Sequence, residues 1–256
     1  MSVAALRLEG VALTDVGRVR DANEDAYCAR PEHGLWAVAD GMGGHERGEW
    51  ASAAICDSLA ATNVDGDFNT ALNAMADAIH AANGRIFSEA SAKGEQMGST
   101  VVAILMRERK FGVLWAGDSR AYLLRDGYLH RLTRDHTQVQ EMVDRGLLTP
   151  EAAEGHPMGH VLARAVGVRN DLELDAIADE MQPGDIFMLC SDGLTGVLDE
   201  QEIARLLDPA SGPAAPERLV KLCLERGAPD NVTVVSVAAN EPTLLSFAAP
   251  DGGYPL

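Results

Sequence analysis

Aspartates stand at the ends of several apolar segments of this sequence. Residues 35–39 are all apolar and run directly into Asp40, and three of the next four residues are glycines. A short apolar segment bounded by glycine is typical of a buried strand, so Asp40 is expected where a core strand reaches the surface. Taken alone, each such aspartate is equally typical of a turn. The same arrangement recurs at Asp25, Asp118, Asp192 and Asp230.

If these strands pair within one compact domain, the five carboxylates can meet at one rim. Two carboxylates ~4 Å apart repel by about 4 kcal/mol at an effective dielectric of about 20, whereas a whole domain is stable by only roughly 5–15 kcal/mol. No Cys or His residues stand at zinc spacing, and oxygen ligands suit magnesium, manganese or calcium. The cluster is therefore either largely protonated or a site for such ions.

A pair of divalent ions gives this cluster a definite chemistry. Two ions ~3.5–4 Å apart can clamp a phosphoryl group and deprotonate a bridging water. Arg20 precedes Asp25 by five residues and can add a forked donor for phosphate oxygens. Without the cluster, a single Arg at this position is most simply a surface residue. The residue types together favour phosphoryl-group chemistry.

The overall composition is that of an ordinary soluble globular protein, with 46% hydrophobic and 23% charged residues. The net charge of −18 argues against nucleic acid or an anionic membrane as the main partner. The four cysteines form no CxxC pair and are expected to be buried thiols in a reducing compartment. No signal peptide or membrane span is recognisable. We expect a cytoplasmic monomer, with residues 1–240 as a single domain and residues 241–256 as a tail without assigned structure.

The elements that must position the aspartates follow from hydrophobic periodicity. A helix is predicted over residues 46–61, and a second begins after Asp67, a good N-cap, with apolar residues at steps of three and four. An edge strand is expected within residues 3–14. Further helices are predicted over residues 137–146, 149–155, 199–207 and 216–226.

Strands are predicted throughout residues 98–132. Four β-rich stretches are separated by turn signals such as Arg125-Asp126-Gly127 and are expected to form one antiparallel meander. Later strands are predicted within residues 177–190 and over residues 232–237. The four stretches of the meander are residues 100–106, 111–116, 121–124 and 128–132.

Several motifs follow one another along the chain, beginning with Thr14-Asp15-x-Gly17-x-x-Arg20-x-x-Asn23-Glu24-Asp25. The later ones are Val38-Ala39-Asp40-Gly41-Met42-Gly43-Gly44, Gly98-Ser99-Thr100, Trp115-Ala116-Gly117-Asp118-Ser119-Arg120, Ser191-Asp192-Gly193-Leu194 and Asp230-Asn231-Val232-Thr233. The set covers about residues 11–237 and resembles the metal-dependent Ser/Thr protein phosphatases of the type 2C (PPM) family, in its bacterial single-domain form. An ordered set of motifs is far more specific than any one member.

The resemblance implies an α+β fold in which two antiparallel sheets stack as a sandwich with helices on both outer faces, a four-layer αββα arrangement. It also implies two core ions, Mn²⁺ or Mg²⁺, bound partly through waters by Asp40, the Gly41 carbonyl, Asp192 and Asp230. Asp25 would complete this shell, and Glu24 and Asn231 would support it. Asp118, with Asp192, would bind a weaker third ion, and Arg20 would bind the phosphate. Residues 136–167 fall where relatives carry a mobile flap that influences substrate choice.

The activity implied is hydrolysis of phosphoserine and phosphothreonine by attack of a metal-bridging water, which reverses bacterial Ser/Thr kinase signalling. The implied partners are phosphorylated proteins, including a cognate Ser/Thr kinase and its substrates. The alternative is a catalytically weak pseudophosphatase that binds phosphoproteins as a regulator. Loss of a metal-binding aspartate would mark that alternative, and none is lost here.

Two positions depart from the family pattern. Met42 stands where eukaryotic members often carry a His proposed as general acid, so a metal-bound water is the candidate acid here. His45 lies close in the sequence but is more typical of a cap or surface residue. After the flap's His-Pro, many bacterial relatives have Arg and a small polar residue, whereas this chain has Met158-Gly159-His160. Contacts between flap and substrate therefore cannot be transferred from those relatives.

Two other functional classes fit the sequence poorly. Residues 21–32 nearly match an EF-hand loop, but Ala26 stands where glycine is needed and Pro31 denies the loop its exiting helix. A serine hydrolase could be sought at Gly117-Asp118-Ser119, but Ala121 breaks the G-x-S-x-G pattern and no His is placed as its base.

Overall fold

The computed structural model describes residues 5–44, 46–153, 155–207 and 214–242. Within these residues, the strands form two antiparallel sheets. The first sheet has the order β1 (Arg7–Asp15), β11 (Val232–Asn240), β10 (Asp185–Cys190), β7 (Arg120–Arg125) and β8 (Tyr128–Arg131). The second has the order β2 (Asp25–Arg30), β3 (Leu35–Met42), β5 (Val101–Arg107), β6 (Lys110–Ala116) and β9 (Asp175–Glu180), with β4 (Gly98–Ser99) paired to the end of β3.

Helices cover the outer face of each sheet. The second sheet packs against α1 (Glu46–Ala61) and α2 (Phe68–Lys93) through a core that includes Ile55 and Ile79. The first sheet packs against α5 (Asp192–Thr195), α6 (Glu200–Leu206) and α7 (Ala215–Glu225). Two short helices, α3 (Gln138–Asp144) and α4 (Pro150–Ala153), lie in the connection between β8 and β9. The predicted αββα order is confirmed.

The central strands are apolar on both faces because each lies between two cores. In β3, Trp36 and Val38 point between the two sheets, where Phe111 and Phe187 also pack, with ring centroids 4.8 Å apart. The alternate residues Leu35 and Ala37 point toward α1 and α2. Side chains alternate along a strand, so burial of both faces requires an unbroken apolar segment. The sequence before Asp40 is therefore a strand of the middle layers.

The predicted four-stranded meander is wrong. β5 and β6 pair in the second sheet and β7 and β8 pair in the first, so the chain changes layers between β6 and β7. Gly117 makes this crossing with φ +116, and an added Cβ there would lie 2.6 Å from Thr100 Cβ. Turn residues between two apolar segments do not reveal whether the next strand joins the same sheet. Here they lead the chain across the sandwich.

Most of the other predicted elements are confirmed. α1 has the predicted bounds, and Asp67 caps α2 by accepting a hydrogen bond from Thr70 N. The helix at α5 was not predicted, because its four residues are too few to show periodicity. All four cysteines are buried and free. Among the described residues, no helix has the length and apolar character needed to cross a membrane. His45 and residues 243–256 lie outside the described residues.

Candidate metal centre

The second sheet brings two of the predicted aspartates side by side. Asp25 begins β2 and is the register partner of Asp40 in β3. β3 continues two residues beyond Asp40, where Gly41 and Met42 pair with β4. Thr100 holds the same point, because its hydroxyl accepts from Asp40 N at 3.0 Å and its own N–H donates to Asp40 O at 2.8 Å. The end of the sheet thus fixes the backbone that carries both carboxylates.

The first sheet and the crossing supply the other three aspartates. Asp192 opens α5 two residues after the end of β10, and Asp230 lies two residues before β11. Asp118 follows Gly117 at the change of layers. A cavity of about 410 Å³ opens where these segments meet the end of β3. Its lining includes Arg20, Glu24, Asp40, Gly41, Asp118, Asp192, Asp230 and Asn231.

Asp25 differs from the other predicted ligands because it lies behind the cavity wall, at 8% exposure. Its Oδ2 accepts hydrogen bonds from Ser191 Oγ and Thr233 Oγ1, both at 2.7 Å. These two hydroxyls were not assigned a role from the sequence. The feature of the sequence that could have indicated them is a polar residue beside apolar strand residues. Thr233 lies within β11, and Ser191 directly follows β10. These hydrogen bonds connect Asp25, which belongs to the second sheet, to residues of the first sheet and its adjoining loop.

Burial, together with the charge of neighbouring carboxylates, raises the pKa values of four of these aspartates. Burial, followed by the neighbouring Asp25 and Asp192, raises the pKa of Asp40 well above its usual range. Burial also raises the pKa of Asp25 to about 7 and that of Asp118 to about 7. For Asp192, burial and Asp230 raise the pKa in the same direction. The protein therefore holds these groups together against a free-energy cost that divalent cations would remove.

Arg20 provides the cationic side chain at the mouth of the cavity. Its Nη2 donates to Asp230 Oδ2 at 2.7 Å, and this hydrogen bond raises the pKa of the guanidinium. The side chain is 56% exposed, so its remaining donors face the cavity mouth or water. A guanidinium has five N–H donors in a planar fork, which suits the oxygens of a phosphate.

Asn231 ties the Arg20 segment to the rest of the site. Its Nδ2 donates to the carbonyls of Val16 and Ala22, both at 2.9 Å, and its Oδ1 accepts from Glu24 N at 2.8 Å. One side chain thus makes three hydrogen bonds to the segment that carries Arg20. Asn231 therefore fixes the geometry of this loop, and its role in supporting bound ions stays a prediction.

Close backbone packing surrounds Gly41. Its N–H donates to Glu24 O at 3.0 Å, and the Gly48 carbonyl lies so near that an added Cβ at Gly41 would be 2.0 Å from it. Glycine at this position is therefore a requirement of packing, since φ is not in the left-handed region. The Gly41 backbone borders the cavity directly.

The flap segment contributes His160 to the cavity. Its Nδ1 lies 3.7 Å from Asp192 Oδ2, and the side chain is 81% exposed. The sequence identified this residue only as a departure from the family pattern. Met42 lines the same cavity and has no proton to give.

The donors at this site fit hard divalent cations but form an incomplete shell on their own. Carboxylate and carbonyl oxygens are the ligands that magnesium and manganese prefer. Among the described residues, no three His, Cys, Asp or Glu side chains form a ready-made set of metal ligands. Ions here would therefore need the Gly41 carbonyl and waters beside the aspartates. Three aspartates that line one cavity fit this role: Asp40, Asp192 and Asp230. The pKa values of Asp40 and Asp192 are raised, and Asp230 is paired with Arg20.

The raised pKa values predict how pH affects the metal-free protein. Asp118 holds its proton in the folded state up to about pH 7, but its unfolded form ionises near pH 3.8. Stability should therefore fall as pH rises from about 4 to 7, by up to ~4 kcal/mol for this group. The raised pKa of Asp25 also lowers stability as the pH rises. Burial lowers the pKa of His136, so this one group has the opposite effect on stability. Thermal melting in chelator should show a lower Tm at pH 7.5 than at pH 5.5.

Saturating Mn²⁺ should reverse or flatten this dependence, because ions bind the ionised carboxylates. The Asp118→Asn variant should show a weaker pH dependence in chelator than the unsubstituted chain. A metal-free protein that is more stable at pH 7.5 than at pH 5.5 would contradict the crowded-carboxylate description.

Residues 18–225 match the family model of protein phosphatase 2C. The chain belongs to the protein phosphatase 2C family. It is 39% identical over 237 residues to the serine/threonine protein phosphatase PstP of Mycobacterium tuberculosis, covering 92% of this chain and 46% of that protein. It is 32% identical to the serine/threonine phosphatase stp of Listeria innocua, covering 89% of this chain and 94% of that protein. This chain thus spans about half the length of the mycobacterial protein.

Solved structures of serine/threonine phosphatases superpose on this structure. The catalytic domain of PstP in complex with two manganese ions superposes with a TM-score of 0.82 at 38% identity, covering 92% of this chain and 100% of that domain. The resemblance found in the motifs is therefore confirmed at the level of family and fold.

Proposed function

We propose that this protein is a metal-dependent phosphatase that hydrolyses phosphoserine and phosphothreonine in proteins. The observation that carries the proposal is the convergence of Asp40, Asp118, Asp192 and Asp230 with Arg20 around one cavity. The names of the family relatives, which are serine/threonine phosphatases, support the same reaction and substrate class. No aspartate expected for the site is missing, so a pseudophosphatase is not favoured.

Two Mn²⁺ or Mg²⁺ ions fit this site, held by Asp40, the Gly41 carbonyl, Asp192 and Asp230, with Asp118 available to a weaker third. When bound, such ions clamp phosphoryl oxygens and activate a water for in-line attack. The manganese complex of the PstP domain supports two ions of this kind. Asp25, behind the wall, would act through Asp40 and the hydroxyls of Ser191 and Thr233.

The protein's own side chains orient the phosphate. Arg20 uses one donor on Asp230 and keeps others for phosphate oxygens, so the same guanidinium fixes the distance between phosphate and metal ligand. Asn231 holds the Arg20 segment by three hydrogen bonds. Correct positioning of reacting groups can supply a large part of a rate enhancement. Met42 donates no proton, so protonation of the Ser or Thr leaving group falls to water.

Metal removal provides the direct test of the proposed reaction. In excess chelator, hydrolysis of an aryl phosphate and of phosphothreonine peptides should fall at least ~100-fold, since the ions supply several kcal/mol of transition-state stabilisation. Mn²⁺ or Mg²⁺ added back in excess of the chelator should restore the rate. Steady-state assays with the two substrate types measure this. Full activity in chelator would exclude the two-ion mechanism, and phosphopeptide binding without turnover in saturating metal would favour the pseudophosphatase.

The partners proposed are phosphorylated Ser/Thr proteins, among them a cognate Ser/Thr kinase and its substrates. The net charge of −18 supports neither nucleic acid nor an anionic membrane as a partner. We place the protein in the cytoplasm as a monomer. Loss of phosphate from kinase and substrate proteins in a lysate, compared with the Asp40→Asn variant at equal concentration, tests the partner proposal.

A further inference from the structure

A second, larger cavity adjoins the metal centre. Its volume is about 820 Å³, and it shares Asp118, His160 and Asp192 with the cavity described above. We call it the side groove. Its polar lining includes Arg120, Arg131, Arg134, Asp135 and His156.

The side groove runs between the end of β8 and the flap segment. One wall is formed by residues 131–135 and the other by α3 and α4. Thr195 at the end of α5 and the following Gly196 also contribute. Arg134 bridges the two walls at the rim through an ion pair with Asp144 of α3. Because the two cavities share three residues, a peptide whose phosphate lies at the metal centre can continue into the side groove.

Beyond Asp118 and Asp192, which it shares with the metal centre, the side groove is lined by more positive than negative side chains, namely Arg120, Arg131 and Arg134 against Asp135. Asp135, at 11% exposure of its side chain, accepts hydrogen bonds from Arg120 Nε and Nη2 and is also paired with Arg131. Two guanidinium groups thus share one carboxylate, and one positive charge is left over. Arg131 Nε is buried and has no hydrogen-bond partner among the described residues. Arg131 lines the side groove with its side chain 27% exposed, so an anion in the groove can accept from the accessible part of this guanidinium and balance the remaining charge.

We propose that the side groove binds an anionic side chain, a carboxylate or a second phosphate, on the same polypeptide as the phosphoresidue that is hydrolysed. Arg131 is the specificity-determining residue, because Arg120 is already occupied in a two-pronged pair with Asp135. The inference rests on the proposed function and adds a substrate preference to it. The chain's overall charge of −18 does not oppose it, since charges farther than about 8 Å are largely screened at physiological salt.

The test compares phosphothreonine peptides that differ at one flanking residue. Alanine, glutamate or a non-hydrolysable phosphonate is placed at successive positions on either side of the phosphothreonine, and kcat/KM is measured in Mn²⁺. At one position or more, the anionic peptides should exceed the alanine peptide about tenfold. In Arg131→Gln the ratio of anionic to alanine peptide should fall to about one. The two anionic peptides distinguish a carboxylate preference from a phosphate preference.

Two further variants make the result interpretable. Arg145→Met removes the same charge from the exposed residue that follows α3 and lies outside the side groove, and it should keep the wild-type ratio. Arg131→Glu should prefer peptides with a flanking lysine, a gain that partial misfolding cannot imitate. A ratio near one in the wild-type protein, or an unchanged ratio in Arg131→Gln, overturns the inference. Failure of the proposed function itself would instead appear as no metal-dependent turnover of any peptide.

Discussion

The Asp40→Asn variant is expected to lose about 1000-fold or more in kcat, while its metal-free form melts at a higher temperature than the unsubstituted protein. The loss in kcat follows because Asp40, at the end of β3 in the cavity wall, is a proposed ligand, and one lost ligand removes several kcal/mol of metal-based stabilisation. The gain follows because burial and the charges of Asp25 and Asp192 raise the pKa of Asp40 well above its usual range. An amide of the same shape has no charge to bury. Phosphopeptide kinetics in Mn²⁺ and melting in chelator measure the two effects.

A loss of kcat together with a gain in melting temperature distinguishes a carboxylate that serves function from one that supports the fold. Asp126→Asn is the matched control, because Asp126 lies in the exposed β7–β8 turn with φ +52, where Asn is also tolerated. It should change neither kcat nor the melting temperature of the metal-free protein appreciably. An Asp40→Asn variant that is destabilised in chelator would show that the Asp40 carboxylate supports the fold, in conflict with the crowding described here.

The aspartates could be found from the sequence because of how strands in a sandwich are buried. β3 and β10 lie between two cores, so they are apolar on both faces and the first carboxylate after or near their ends is conspicuous. Asp40 and Asp192 were recognised in this way. That the aspartates meet at one site was inferred from how many of them stand at the ends of apolar strands. The resemblance to the family motifs then implied a role for each.

Other parts of the site depend on contacts that no local pattern carries. Asp25 is held by Ser191 and Thr233, which are 166 and 208 positions away in the chain. The sequence analysis placed the strands on both sides of Gly117 in one meander, because a strand that is apolar on both faces does not specify its sheet. The side groove could not be predicted either, since it forms only when the flap helices lie beside residues 131–135.

Gly41→Ala is expected to reduce kcat/KM about 100-fold and to destabilise the fold by about 3 kcal/mol. The added Cβ would lie 2.0 Å from the Gly48 carbonyl oxygen and 2.7 Å from the Glu24 carbonyl oxygen. Both neighbours are backbone atoms, so relief requires a shift of β3 or of α1 near its start. A shift of β3 moves the Gly41 carbonyl and the adjacent Asp40, and a shift of α1 removes the packing that holds them in place. Urea denaturation and phosphopeptide kinetics in saturating Mn²⁺ measure the two losses.

Gly84→Ala provides the matched comparison because the same change of side chain has the opposite sign there. Gly84 lies inside α2, and an added Cβ meets nothing within 4 Å, so alanine should stabilise the helix by about 0.5–1 kcal/mol. Its kcat/KM should equal that of the unsubstituted protein, since Gly84 does not line the cavity of the metal centre. If Gly41→Ala matched Gly84→Ala in both stability and activity, the close approach of β3 and α1 would not be a feature of the folded protein. The requirement for glycine beside Asp40 would then lie in metal binding alone, and it should appear as a higher Mn²⁺ concentration for half-maximal activity.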